Sequence, residues 1–90
     1  MQTAEAKVTI QNRLGLHARP AMSFVDMASG FGSDIRVRKG KQEVDGKSIM
    51  QMMMLAATQG TQLDISAQGP DAEQAIHALC ELVDSKFDEE

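Results

Sequence analysis

Ninety residues with 42% hydrophobic and 24% charged side chains describe one domain over residues 1–90. Such a chain buries only about 60–65% of its unfolded surface, too little for a deep substrate cleft. A net charge of −4, with no Trp or Tyr, excludes a nucleic-acid surface built on basic patches or aromatic stacking.

The single cysteine, Cys80, admits no internal disulfide, and two histidines beside it are too few for a metal centre. No apolar run approaches the length of a membrane span, and Met1 to Lys7 lacks a basic region followed by an apolar core. The expectation is a cytoplasmic monomer with no metal, cofactor, nucleic-acid partner or membrane insertion.

Ala6, Val8 and Ile10 alternate with Lys7 and Thr9, the period of a half-buried strand. Gln11 to Gly15 reads as a loop. Ala21, Phe24, Val25 and Ala28 then recur at helical spacing, with Ser29-Gly30 and Gly32 ending that helix. Ile35 and Val37 form a second strand, Lys39-Gly40-Lys41 a turn, and Gln42-Glu43-Val44 a third strand completing a hairpin.

Ser48 opens a second helix over Ile49–Ala57, where Ser48 and Gln51 match the capping-box spacing. Leu63, Ile65 and Ala67 mark a fourth strand. Pro70 is predicted at the first position of a last helix, with Ala75, Ile76, Leu79, Cys80, Leu82, Val83 and Phe87 as its apolar stripe. His77 reads as a solvated surface residue, and Asp88-Glu89-Glu90 as a frayed acidic end. The predicted order is β-α-β-β-α-β-α. It makes an α+β open-faced β-sandwich, a four-stranded antiparallel sheet with three helices on one face.

Gly15-Leu16-His17-Ala18-Arg19-Pro20-Ala21 stands out from this scaffold. With His17 at the N-cap, Pro20 falls in the first turn, where a missing N–H costs no hydrogen bond. An imidazole, the free N–H groups of the first turn beginning at Ala18, and the Arg19 guanidinium then converge on an anion site, and phosphate suits it. A neutral imidazole there can act as a nucleophile that carries a phosphoryl group, with Arg19 and the amides stabilising its oxygens. The plainer alternative leaves His17 as a helix cap and Arg19 as a surface charge.

The second helix is apolar beyond the needs of one buried face. Met52 and Leu55 are predicted to face the core, leaving Ile49, Met50 and Met53 exposed as a surface for partners; a methionine-rich core is the alternative. Ser48 serves as a cap, and a phosphate placed there would change the charge beside that patch.

Together, the His17 stretch and Lys47-Ser48-Ile49-Met50, at their separation, make the chain resemble the HPr family, the histidine phosphocarriers of the bacterial phosphoenolpyruvate-dependent phosphotransferase system. The resemblance implies that His17 accepts a phosphoryl group on Nδ1 from phosphorylated Enzyme I and passes it to an EIIA-type protein, in a chain without independent enzymatic turnover. It implies Arg19 as the phosphate-stabilising residue and Met22, Ile49, Met50 and Met53 as the partner surface. It implies Ser48 as the serine that an HPr kinase/phosphorylase modifies. Lys47 to Met50 is similar to carriers coupled to sugar uptake. Gly69-Pro70 and Phe87-Asp88-Glu89-Glu90 are similar to the nitrogen-related carrier NPr. A third reading is a regulatory binding module that uses the Ile49–Met53 patch without phosphohistidine chemistry.

Overall fold

A computed structural model describes residues 2–89 and contains four strands and three helices in the predicted order. They are β1 (Gln2–Thr9), α1 (Ala18–Ser29), β2 (Asp34–Lys39), β3 (Gln42–Asp45), α2 (Ile49–Met54), β4 (Gln62–Gly69) and α3 (Ala72–Asp84). The sheet runs β1-β4-β2-β3, every neighbour antiparallel.

Alternation along the strands sorts the two sheet faces. Val8, Ile35, Val37, Val44, Leu63, Ile65 and Ala67 point into the core, where they meet Phe24 and Val25 of α1, Met52 of α2, and Leu79 and Val83 of α3. The opposite face carries exposed charges that pair loosely, Lys7 with Asp64 at 3.7 Å and Arg38 with Asp64 at 3.4 Å. Exposed pairs of this kind contribute roughly 0–1 kcal/mol, so the fold rests on its apolar face.

Four local expectations are corrected. β1 begins at Gln2, not Ala6, because β4 supplies a partner as far as Gly69 for a segment lacking a strong apolar alternation. α2 stops at Met54, short of Ala57: Leu55 caps it and Ala56 takes a left-handed φ of 49°. The capping box is half formed. Ser48 Oγ accepts from the Gln51 amide at 3.3 Å, but the Gln51 side chain turns to accept from the Asp45 amide at 2.9 Å. Pro70 lies before the last helix, whose N-cap is Asp71. His77 lies on the surface as expected, 2.6 Å from Glu81 one turn on.

Asp71 ties the start of α3 to the loop before β2. Its carboxylate accepts from Ser33 Oγ at 2.6 Å and from the Gly32 and Ser33 amides at 2.9 Å each. These bonds hold the Asp71 carboxyl below its ordinary range, the Ser33 hydroxyl first among them. Gly69 permits that approach: its φ is +151°, and a Cβ there would lie 2.6 Å from Ser33 Cα.

The end of the chain departs most from expectation. α3 ends at Asp84 instead of running through Phe87, and Phe87 reaches the core by another route. Lys86, Phe87 and Asp88 form a tight turn with φ values of 61°, 56° and 59°. Left-handed backbone costs a non-glycine residue roughly 1–2 kcal/mol, so burial of Phe87 and the contacts beyond it must hold the turn. Glu90 lies outside the described residues.

Gly69→Ala is expected to destabilise the protein by about 2 kcal/mol through the Ser33 clash and the unfavourable φ. Urea unfolding checks this; an unchanged midpoint refutes it.

Candidate functional site

The site is built on the loop between β1 and α1. Asn12 is fully buried, and both its main chain and its side chain close the turn: its carbonyl accepts from the Gly15 amide at 3.1 Å, and its Nδ2 donates to the Gly15 carbonyl at 2.6 Å. Gly15 has a φ of +70°, and a Cβ there would lie 2.6 Å from the Ala57 carbonyl oxygen. With that space open, the Leu16 amide donates to Ala57 at 2.8 Å, fastening the loop to the segment that follows α2.

His17 is then the N-cap of α1, in extended conformation at φ −79° and ψ −172°. Its carbonyl receives the first intrahelical bond, from the Ala21 amide at 3.0 Å, while its side chain makes no capping bond. The imidazole is therefore available, with its side chain 37% exposed. Ala18 and Arg19 follow in the first turn, exposed, where amides lack intrahelical acceptors; Pro20 beside them is buried. Among the described residues no hydrogen bond or ion pair engages the Arg19 guanidinium.

An anion already stands at this helix end, and the chain itself provides it. Glu89 Oε1 lies 3.0 Å from His17 Nε2 and accepts from Asn12 Nδ2 at 2.8 Å. The bond to His17 is the main cause that holds the Glu89 carboxyl below its ordinary range; partial burial opposes it, and the bond from Asn12 and the charge of Arg19 reinforce it. The acidic end expected to fray is thus folded back onto the imidazole.

Sequence reasoning missed Asn12 and Glu89. Asn12 sits among loop residues where asparagine commonly serves a turn, and nothing local marks it as buried. Glu89 is separated from His17 by 72 positions, and only the left-handed turn at 86–88 brings it back.

The surface features divide as expected, with additions. Met52 and Leu55 are buried. Met50 is 80% exposed, and Ile49 and Met53 are exposed beside it. Met22 is exposed on α1, which packs on α2. Leu14 and Met54 are exposed as well. Ser48 begins α2, whereas the Ala57 contact that grips the His17 loop follows its end; six helical residues span about 9 Å.

Comparison with known proteins agrees with this architecture. The family model described as "PTS HPr component phosphorylation site" matches residues 4–85. The phosphocarrier protein HPr of Pseudomonas aeruginosa is 46% identical over 84 residues, covering 92% of this chain and 93% of that protein. The phosphocarrier protein NPr of Shewanella violacea is 39% identical over 89 residues, covering 99% of this chain and 98% of that one. The crystal structure of HPr-C-His from Thermoanaerobacter tengcongensis superposes with a TM-score of 0.93 at 49% identity, covering 97% of this chain and 98% of the other.

The class is therefore that of small phosphoryl carriers, not of catalytic enzymes. The chain belongs to the HPr family, the HPr/NPr phosphocarriers of the phosphotransferase system.

Because folding lowers the Glu89 carboxyl from the ordinary value of 4.5, its contacts add stability that is fully present above that pH and lost as pH falls through the lower folded-state value. A carboxyl ¹³C NMR titration is expected to give Glu89 a midpoint below 4.5, and His17→Ala is expected to raise it. A wild-type midpoint at or above the ordinary value refutes the contact.

Proposed function

We propose that His17 is the phosphoryl acceptor of this carrier, taking the group on Nδ1 from phosphorylated Enzyme I and handing it to an EIIA-type protein. One observation carries the proposal: a half-buried imidazole at the N-terminus of α1 shares the first turn with the Ala18 amide and with the Arg19 guanidinium, which no hydrogen bond or ion pair engages among the described residues. Phosphoryl transfer between positioned groups asks for alignment and compensation of negative oxygens, and this turn offers both. Arg19 and the Ala18 N–H serve the phosphoryl oxygens.

Partners dock on the surface of Met22, Ile49, Met50 and Met53, with Leu14 and Met54 extending it. An exposed apolar surface on a chain without a deep cleft suits brief contacts with larger proteins, and methionine adapts to more than one of them. The carrier works as one domain and a monomer in the cytoplasm; no helix among the described residues is long and apolar enough to cross a membrane.

Ser48 is the regulatory phosphorylation site for an HPr kinase/phosphorylase. Its hydroxyl is half-buried and spends itself on one long bond, and a phosphate there sets new charge against the docking helix. The branch served is sugar uptake, on the strength of Lys47 to Met50 and the HPr relatives. The nitrogen-related branch is the second reading, favoured by alignment of the NPr relative over 99% of this chain, against 92% for the HPr relative.

Incubation with phosphoenolpyruvate, Mg²⁺ and Enzyme I is expected to add one acid-labile phosphate. His17→Ala is expected to abolish uptake, and Arg19→Ala to slow it roughly a hundredfold. Normal labelling of His17→Ala refutes the assignment. Passing the label to sugar-type or nitrogen-type EIIA proteins decides the branch.

Ser48→Ala is expected to lower stability by about 1 kcal/mol as a lost cap, while Ser48→Asp slows transfer from Enzyme I with the fold intact. An unchanged transfer rate for Ser48→Asp leaves Ser48 a cap alone.

A further inference from the structure

We infer that Glu89 is a positioning residue for phosphoryl transfer, accepting the Nε2–H of His17 so that Nδ1 is left with its lone pair free and the ring is held in one orientation. The inference rests on the assignment of His17 as phosphoryl acceptor.

The donor and acceptor roles follow from the contacts. An ionised carboxylate only accepts hydrogen bonds, so at 3.0 Å from Glu89 Oε1 the proton belongs to His17 Nε2. In a neutral imidazole the other nitrogen is then unprotonated, which is the nucleophilic form. Nε2 and Nδ1 lie on different edges of the ring, so the carboxylate does not occupy the attacking position.

Asn12 secures the carboxylate. Its Nδ2 donates both to Gly15 O at 2.6 Å and to Glu89 Oε1 at 2.8 Å. Turning the amide over would aim its oxygen at two acceptors, so the orientation is set. Its Oδ1 is left buried and unpartnered among the described residues. Three consecutive left-handed residues at 86–88 are costly, and they turn the chain so that Glu89 reaches His17 and Asn12.

The contact matches the charge that transfer creates. The Nδ1 lone pair attacks phosphorus, the Nδ1–P bond forms as the bond between phosphorus and the donor group breaks, and that bond's electron pair leaves with the donor. His17 keeps its Nε2–H, and its ring acquires positive charge directly beside the carboxylate. No proton has to leave. When the group moves on, the Nδ1–P electron pair returns to His17 and the ring charge disappears.

The test uses the full-length chain labelled with ¹⁵N, as wild type, Glu89→Ala and Glu89→Gln. In wild type, at a pH where the ring is neutral, a hydrogen-bonded Nε2–H with slowed solvent exchange and an unprotonated Nδ1 are expected. Glu89→Ala is expected to lose the slowed exchange and to accept phosphoryl from phosphorylated Enzyme I about tenfold more slowly. Glu89→Gln retains an accepting oxygen and restores part of the exchange protection and of the rate. If Glu89→Ala keeps wild-type exchange, or keeps the wild-type transfer rate, the positioning role is overturned while His17 remains the acceptor. If wild-type protein takes no phosphate at all, the acceptor assignment fails, and the inference that rests on it fails too, whatever the exchange data give.

Discussion

The approach of Gly15 to the Ala57 carbonyl is the contact on which the functional end of the molecule depends. A side chain at position 15 would meet that oxygen at 2.6 Å, and the Leu16 amide would lose its acceptor. Through this single bond the loop ahead of α1 is fixed to the segment leaving α2. The loop that carries the imidazole is consequently fastened to the segment that follows the exposed apolar helix. On the docking surface proposed above, a partner that grips α2 would find His17 at a set distance, and alignment of that kind is most of what phosphoryl transfer asks of a protein.

Much of the scaffold was legible from periodicity alone. Period-two runs at 6–10, 35–37 and 63–67 mark strands, and the spacing of Ala21, Phe24, Val25 and Ala28 marks a helix, because each pattern states which side of the element is buried. Tertiary pairing overrode local pattern in three places. β4 recruited Gln2 into β1, the Ala57 contact cut α2 short, and Asp71 served the α1–β2 loop so that Pro70 fell outside the helix.

The candidate site was legible in part. His17, Ala18 and Arg19 share one short stretch, so a helix N-terminus is enough to bring them together. Asn12 and Glu89 are different. A buried asparagine looks like any turn asparagine in one dimension, and a glutamate near the end of a polar tail carries no mark of its destination. Their meeting depends on Phe87 entering the core through a left-handed turn, a conformation that no helical pattern foretells.

The strand order has one more consequence. It puts β1 and β3 at the two margins of the sheet, where unpaired amides and carbonyls invite another chain to add a strand. β3 is only four residues long and carries Gln42, Glu43 and Asp45, while β1 sets Glu5 and Lys7 along its margin. The shortness of β3 and the charges on both margins discourage strand addition. The charges on these margins and the exposed apolar side chains of α2 thus lie on different parts of the molecule, consistent with the docking surface proposed on the helices.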